Sequence, residues 1–295
     1  MFETQSPQLP EPFPPPQRPP SPPHRPPHFS RRHPKAFRRL IEQVRTRQRL
    51  HLWLQGAIFG AALALVLAVA ATIATNTQAT AGDLSNLSAL NQAEFLALSK
   101  DLAAVTSTKA IEPAAPLGVT GFDVSASSSM TRIQDSAAWA KASGDSAHNL
   151  MQTKLSVSKG LSGGWDVGGF VSKVPSTNVS VAGVHVKYAL LEGNAITPAI
   201  ALRGSHSRMG GVSGMELNNT GLDVLISKGF VGFTPYAGVG TVHTSAQATG
   251  KSDESFTQSK SFVGVSWNVL LVNLSAEYDR TGKNASVGLK AGVRF

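Results

Sequence analysis

The last twelve residues, NASVGLKAGVRF at positions 284–295, alternate between two kinds of side chain. One set is apolar and ends in the aromatic Phe295, and the other holds Ser, Gly, Lys290 and Arg294. A period of two residues over this length indicates a β-strand whose two faces meet different surroundings. Those surroundings are either a protein core and water, or membrane lipid and a polar interior.

The same alternation recurs after Leu117, in short segments separated by turns rich in Gly, Ser and Asn. Segments of about 9–13 residues suit tilted strands that cross the hydrocarbon layer. An even number of strands lets the last strand pair with the first, since lipid offers no partner for an open sheet edge. The pattern predicts an all-β fold, a closed antiparallel transmembrane β-barrel of about ten strands, with about eight or twelve as the alternatives. The predicted strands lie near residues 119–131, 151–159, 165–174, 179–191, 196–207, 216–228, 233–245, 259–271, 273–280 and 284–295.

The composition of the two faces favours a membrane barrel over a soluble β-sandwich or barrel. The polar faces hold mostly Gly, Ala and Ser with isolated charges, as a crowded barrel interior would, whereas the outer surface of a soluble sandwich is rich in charge. The apolar faces are predicted to carry aromatic side chains near the strand ends, as in the girdles at membrane–water interfaces. These aromatic residues are Trp165, Tyr188, Tyr236, Trp267, Tyr278 and Phe295.

The first 81 residues differ from the rest of the chain. Residues 1–34 contain thirteen of the eighteen prolines, which predicts a disordered tail or a stretch upstream of the true translation start. Residues 35–81 are basic, then apolar and uncharged, and they end in Ala79-Thr80-Ala81, which predicts a secretory signal peptide cleaved between Ala81 and Gly82. The alternative is an uncleaved anchor that holds a soluble periplasmic β-domain.

Residues 82–116 are predicted to form a periplasmic helix and a linker that precede the barrel of residues 117–295. Apolar residues recur at a spacing of three to four over residues 83–106, which predicts one amphipathic α-helix. We expect this helix to dock on the rest of the protein. A plug in the barrel lumen and a partner-binding arm are the alternatives.

The C-terminal strand that ends in Val-Arg-Phe, the signal peptide and the alternating strands resemble those of bacterial outer-membrane β-barrel proteins. GFDVSAS, KYALLEGN, TPYAGVG and the final GVRF also resemble a family of small Gram-negative barrels. The resemblance implies localisation in the outer membrane, contact with outer-membrane lipid, and recognition of Phe295 by the barrel-assembly machinery. It implies no reaction and no oligomeric state, and the long basic front end departs from the pattern.

The sequence predicts no catalytic, cofactor-binding or metal-binding residues. It contains no cysteine and no nucleotide-binding, zinc-protease or calcium-loop motif. Nucleic acid is not an expected partner, because residues 1–81 hold ten Lys/Arg against three acids while residues 82–295 hold seventeen against fifteen. The alternative to a non-enzyme is an outer-membrane hydrolase that cleaves lipid or peptide at the external rim. Its catalytic residues would be His206 with Ser205, or His243 with Ser245.

Charged residues on the polar faces are predicted to project into the lumen. They would either form ion pairs that brace a closed barrel or line a narrow pore, so we expect a structural protein or a narrow passive channel. A barrel of about ten strands is just wider than one whose interior is filled by its own side chains, which favours the brace. The predicted lumen charges are Asp123, Lys154, Lys187, Arg203, Asp223, Glu277, Asp279, Lys290 and Arg294.

Overall fold

The computed structural model describes residues 82–295, and the predictions for residues 1–81 lie outside this range. It contains two α-helices and ten strands. No helix in the described part of the chain is long and apolar enough to span a membrane. The elements in chain order are α1 (Gln92–Thr106), β1 (Phe122–Arg132), α2 (Ser136–Ser143), β2 (Asn149–Gly160), β3 (Trp165–Lys173), β4 (Ser180–Leu191), β5 (Ala199–Gly210), β6 (Met215–Ser227), β7 (Phe233–Ala248), β8 (Glu254–Val269), β9 (Val272–Thr281) and β10 (Asn284–Arg294).

The ten strands form one closed antiparallel barrel, in which each strand pairs with its neighbours in sequence and β1 pairs with β10. The closing pair aligns Asp123 with Arg294 and Thr131 with Ser286. The Phe122 and Phe295 backbones exchange N–H···O bonds of 2.7 and 3.0 Å at one end of this pair. Closure leaves no row of unpaired backbone groups, which hydrocarbon could not satisfy. The predicted fold class is therefore confirmed.

Most strand boundaries fall within a few residues of the prediction, and the largest difference is β8, which begins at Glu254 rather than near residue 259. β5 begins at Ala199 because residues 194–197 form a turn in which the Asn194 side chain accepts hydrogen bonds from the Ile196 and Thr197 N–H groups, at 2.7 and 2.9 Å. The connection between the first two strands, to which no element was assigned from the sequence, contains α2. The Asp135 carboxylate caps α2 by accepting from the Ala138 N–H at 2.9 Å.

The exterior of the barrel is apolar over much of its height. Val171, Val184 and Leu222 each expose 59–60% of their surface, a pattern that suits contact with lipid rather than water. Three aromatic pairs lie at one end: Phe122 with Phe295, Trp165 with Tyr188, and Phe233 with Trp267. The expectation for Tyr236 was wrong, since its side chain is 3% exposed and faces the interior.

The two ends of the barrel are different. We call the end where β1 begins and β10 ends the terminal mouth, and the opposite end the helix mouth. The terminal mouth carries the three aromatic pairs, and the helix mouth carries the connection 133–148 with α2. Strands β7 and β8 are 16 residues each, and their outward side chains near the helix mouth are polar. These side chains are Thr241, His243, Ser245, Thr257 and Ser259, all of them exposed.

Helix α1 lies inside the helix mouth. A capping box fixes its start, because the Asn91 side chain accepts from the Glu94 N–H and the Glu94 side chain accepts from the Asn91 N–H. The last four residues of the helix, 103–106, are fully buried. Its apolar side chains share one buried cluster with the second helix, residues of the connections and inward-facing residues of six strands. From the barrel wall this cluster includes Leu150, Phe170, Val181, Met209, Leu217 and Ala246.

Residues 107–117, which we call the lumen segment, continue from α1 through the barrel to the terminal mouth. At the start of this path the Thr106 carbonyl accepts from Ser207 of β5 at 3.0 Å. At its end the Leu117 N–H donates to the carboxylate of Asp166 at 3.0 Å, close to the first residue of β3. The helix and the lumen segment thus both lie in the interior of the barrel. Residues 82–116 therefore dock as a plug in the lumen, which was one of the two alternatives for this part of the chain.

Candidate functional site in the barrel lumen

The nine predicted lumen charges lie on the inward face of their strands. Eight of them expose 5% of their surface or less, and Arg294 is partly buried at the terminal mouth. Their direction follows from the two-residue period of each strand, which sends alternate side chains to opposite faces. Burying so much charge is costly unless each group has a partner, so the contacts of these side chains determine what the lumen can do.

One group of charges lies near the terminal mouth, where β1 meets β10. The Asp123 carboxylate accepts from the Lys290 ammonium at 3.0 Å and from Nε of the Arg294 guanidinium at 2.8 Å. Because Asp123 and Arg294 are directly paired in the register, the strand alignment itself brings the charges together. This pairing ties the first strand to the last at the seam of the barrel.

A second group lies on β5, β6 and β8. Asp223 accepts from the Arg203 guanidinium at 2.7 Å and from the Lys260 ammonium at 3.2 Å. Both cations also lie over the ring of Phe262, at 5.2 and 5.3 Å from its centre. That ring covers the inward side of Gly238, where a Cβ atom would come within 2.2 Å of it. A glycine is therefore needed at position 238 for the aromatic ring to fill the lumen.

The third group joins the barrel wall to the lumen segment through Glu112. This buried carboxylate lies 3.7 Å from Lys187, 3.8 Å from His185 and 3.9 Å from Arg203. Lys187 also pairs with Asp166 at 3.0 Å. Glu112 thus supplies negative charge to cations of β4 and β5, and it does so from a part of the chain that does not belong to the sheet.

Lys109 makes the corresponding contact on the other side of the barrel. Its ammonium lies 3.6 Å from the Asp279 carboxylate of β9 and donates to the Ala104 carbonyl at the end of α1. The ammonium of Lys154 on β2 donates to the Lys109 carbonyl. The lumen segment therefore makes polar contacts with strands on different sides of the lumen.

Wall side chains also satisfy backbone groups of the lumen segment, which forms neither a helix nor a strand. Lys187 donates to the Pro113 and Ala115 carbonyls at 3.1 and 3.3 Å. Lys260 donates to the Thr108 carbonyl at 2.8 Å, and Ser227 accepts from the Ala114 N–H at 3.1 Å. Because buried peptide groups need partners, these bonds let an irregular segment lie in the interior.

Glu277 has a phenol as its hydrogen-bond partner. Lys290 and Arg294, the two cations of β10, both contact Asp123. Glu277 instead accepts a hydrogen bond of 3.0 Å from the Tyr236 hydroxyl. This bond explains why Tyr236 faces the interior, since a buried phenol needs a polar partner.

Asp101 on α1 anchors the helix at the helix mouth. Its carboxylate accepts from the backbone N–H groups of Gln134 and Asp135, at 3.1 and 2.9 Å, and from the Asn284 amide at 2.6 Å. Burial raises the pKa of the Asp101 carboxyl, and its hydrogen bonds counter part of that shift. The helix is therefore joined to the chain that follows β1 and to the start of β10.

The sequence did not single out Lys109, Glu112, Asp166, His185 or Lys260 as site residues. Asp166, His185 and Lys260 lie on inward faces that the alternating pattern identifies, so a fuller use of the pattern could have found them. Lys109 and Glu112 lie on an irregular segment without periodicity, and no sequence signal places such residues inside a barrel.

The histidines proposed for a hydrolase contact hydroxyl groups. His206 Nδ1 lies 3.1 Å from the Thr220 hydroxyl, and His243 lies 3.1 Å from Thr257 and 3.4 Å from Ser255. Ser245 lies two residues after His243 and points to the same face of β7, but the hydrogen bonds of His243 go to Thr257 and Ser255 instead. Within residues 82–295, no carboxylate lies within 4.0 Å of His206 or His243 to orient the ring. No cluster of three or more metal-ligating side chains is found in this range either.

A closed antiparallel barrel with an apolar exterior and a polar interior defines the class of outer-membrane β-barrel proteins, and the fold places this chain in that class. No family model and no curated protein matches the sequence. The similar solved structures include the N-terminal β-barrel domain of Pseudomonas aeruginosa OprF, at 14% identity and a TM-score of 0.30, over 60% of this chain and 99% of that one.

Two further similar structures are also bacterial barrels. Neisserial surface protein A is 15% identical with a TM-score of 0.27, over 59% of this chain and 94% of that one. The KdgM porin, solved in complex with disordered oligogalacturonate, is 10% identical with a TM-score of 0.33, over 59% and 99%. At these low TM-scores the similarity carries no argument about fold, ligands or activity.

Proposed function

We propose that the protein is an integral outer-membrane β-barrel with a structural role, held closed by its own α1 and lumen segment. The observation that carries this proposal is the path of residues 107–117 through the lumen, with ion pairs from Lys109 to Asp279 and from Glu112 to Lys187. An open passive channel would require water and solute to occupy the space that these residues fill.

Opening the lumen would separate several buried partners at once. Removal of one member of a buried ion pair typically costs about 3–5 kcal/mol, because the other charge remains uncompensated. Release of the lumen segment would take Glu112 from its cations and Lys109 from Asp279. It would also free the backbone groups that Lys187 and Lys260 satisfy. These costs favour a closed resting state.

Conductance across a planar lipid bilayer tests the proposal. The refolded full chain should insert without stable current steps, and a Lys109→Ala/Glu112→Ala variant should show transient openings because the lumen segment has lost its ion pairs. The matched control is Arg208→Ala/Glu216→Ala, which removes an exposed 3.0 Å pair on the outer surface and should stay silent. Stable open steps in the full chain would overturn the closed barrel in favour of a narrow passive channel.

The two alternative functions, a hydrolase and a soluble periplasmic domain, predict different experimental results. A hydrolase should release product from a lipid or peptide substrate, and this activity should disappear in the His243→Ala variant. A soluble periplasmic domain on an anchor should not show the heat-modifiable gel migration that detergent-resistant barrels give. The exposed valines and leucines of the barrel exterior support a position in lipid instead.

A further inference from the structure

We infer that α1 and the chain from Gly82 onward lie on the cell-surface side of the outer membrane, because the polypeptide crosses its own lumen before it enters β1. The inference rests on the proposed outer-membrane location and goes beyond it. It replaces the expected periplasmic position of the helix with the opposite side of the membrane.

The first described residues lie at the helix mouth. The Leu84 N–H donates to the Asn178 side chain in the β3–β4 connection at 3.1 Å, and the Asn86 N–H donates to the Ala142 carbonyl of α2 at 2.9 Å. The Lys251 ammonium, in the β7–β8 connection, donates to the Leu90 carbonyl. All three partners belong to connections at this mouth.

The chain then traverses the barrel to the terminal mouth. Leu117 lies eleven residue steps after Thr106, which span at most about 36–40 Å when extended. The apolar band of an outer-membrane barrel is about 25 Å tall, so this length is enough for one crossing. The Leu117 N–H bond to Asp166 and the start of β1 at Phe122 place the end of the crossing at the terminal mouth.

Two features indicate that the terminal mouth faces the periplasm. Short turns lie on the periplasmic side of such barrels and longer loops on the external side. The longest connection, residues 133–148, lies at the helix mouth, together with the polar outer ends of β7 and β8. The terminal mouth has the aromatic pairs Phe122–Phe295 and Phe233–Trp267, which suit a boundary that lies level with the membrane interface.

The absence of cysteine from the sequence permits a direct test with single-cysteine variants. Ser85→Cys reports on the chain before α1, and Ser213→Cys reports on the β5–β6 connection at the same mouth. Ile196→Cys reports on the terminal mouth, where that side chain is 88% exposed. The full chain is expressed in Gram-negative cells and treated with a charged, membrane-impermeant maleimide, before and after permeabilisation of the outer membrane.

We expect the Ser85 and Ser213 variants to react on intact cells and the Ile196 variant to react only after permeabilisation. Reaction at Ser213 without reaction at Ser85 would overturn the inference, since the chain before α1 would then not lie at the external mouth. Reaction at Ile196 alone on intact cells would also overturn it, because the barrel would have the opposite orientation. Fractionation of the variants away from the outer membrane would instead show that the proposed location fails.

Discussion

Glu112 of the lumen segment lies 3.7 Å from the Lys187 ammonium of β4, and both side chains are almost completely shielded from solvent. The pair joins the chain that precedes the barrel to the barrel wall. Lys187 keeps a second carboxylate partner, Asp166, at 3.0 Å. Through this contact the lumen segment neutralises part of the positive charge that the barrel wall places in the interior.

Replacement of Glu112 by Gln should destabilise the protein by about 2–4 kcal/mol, somewhat below the usual cost of breaking a buried pair, because Lys187 and Arg203 each retain another acid. Urea or thermal unfolding of the refolded protein in detergent micelles measures the change. Glu216→Gln is the control, since its pair with Arg208 is exposed and should contribute about 0–1 kcal/mol. Equal effects of the two substitutions would contradict the role of Glu112.

Replacement of Asp101 by Ala should loosen α1 while the barrel stays folded. The substitution removes the acceptor for the Gln134, Asp135 and Asn284 donors. Hydrogen–deuterium exchange should become faster in residues 92–106, with little change in the strands away from the helix mouth. Lys100→Ala, at an exposed position on the same helix, is the control and should leave the exchange of the helix unchanged.

Docking of α1 should also depend on pH through Asp101. Because burial raises the pKa of this carboxyl, the docked state binds the proton more tightly than the released state. The resulting stabilisation is full below about pH 3.9, the pKa of a free aspartate, and is lost as the pH rises through the raised value. After correction for intrinsic rates, exchange in α1 should slow as the pH falls through this window. An Asp101→Asn variant should lack that trend, and an identical trend in the variant would assign it to other groups.

Replacement of Phe295 by Ala should reduce the assembly of the barrel in cells more than its ability to fold. The Phe295 ring stacks on Phe122 at 6.1 Å, but its backbone bonds to Phe122 do not need the side chain. If the assembly machinery reads the terminal aromatic residue, the yield of heat-modifiable protein in the outer membrane should fall several-fold. Refolding of the same variant from urea into detergent should change little, which separates recognition from stability.

The control for this prediction is Phe230→Ala, an exposed aromatic residue in the β6–β7 turn at the same mouth. It should leave the yield in cells unchanged. A parallel loss of yield in cells and of refolding in detergent for Phe295→Ala would show that the ring acts through stability alone.

Replacement of His206 or His243 by Ala should change neither the stability nor any activity of the protein. Both rings are exposed, and their polar contacts are hydroxyl groups of Thr220, Thr257 and Ser255. Single contacts of this kind at an exposed site should contribute less than about 1 kcal/mol. Thermal unfolding together with assays of lipid and peptide hydrolysis checks the prediction. A hydrolysis rate that is lost in either variant would support the enzyme.

Strands with a clear local pattern matched their predicted faces, and a strand with a weak pattern did not. The alternation in β4 and β10 fixes which side chains point inward, because the pleat sends neighbours to opposite faces. In β7 the stretch YAGVGTV, residues 236–242, mixes small and apolar residues on both faces. Tyr236 was therefore assigned to the lipid side, although its hydroxyl bonds to Glu277 in the interior.

Local patterns in the sequence predicted about ten strands, the two faces of most of them and a helix before the first strand. These features depend on residues that are close together in the chain. The position of the helix and the lumen segment in the interior became clear only from the tertiary structure. The partners of Lys109 and Glu112, such as Asp279 and Lys187, lie far along the chain on strands whose positions around the lumen follow from closure of the barrel. A segment without periodicity carries no local signal of where it will dock, because its position is set by the shape and charge of a cavity that exists only after the sheet has closed.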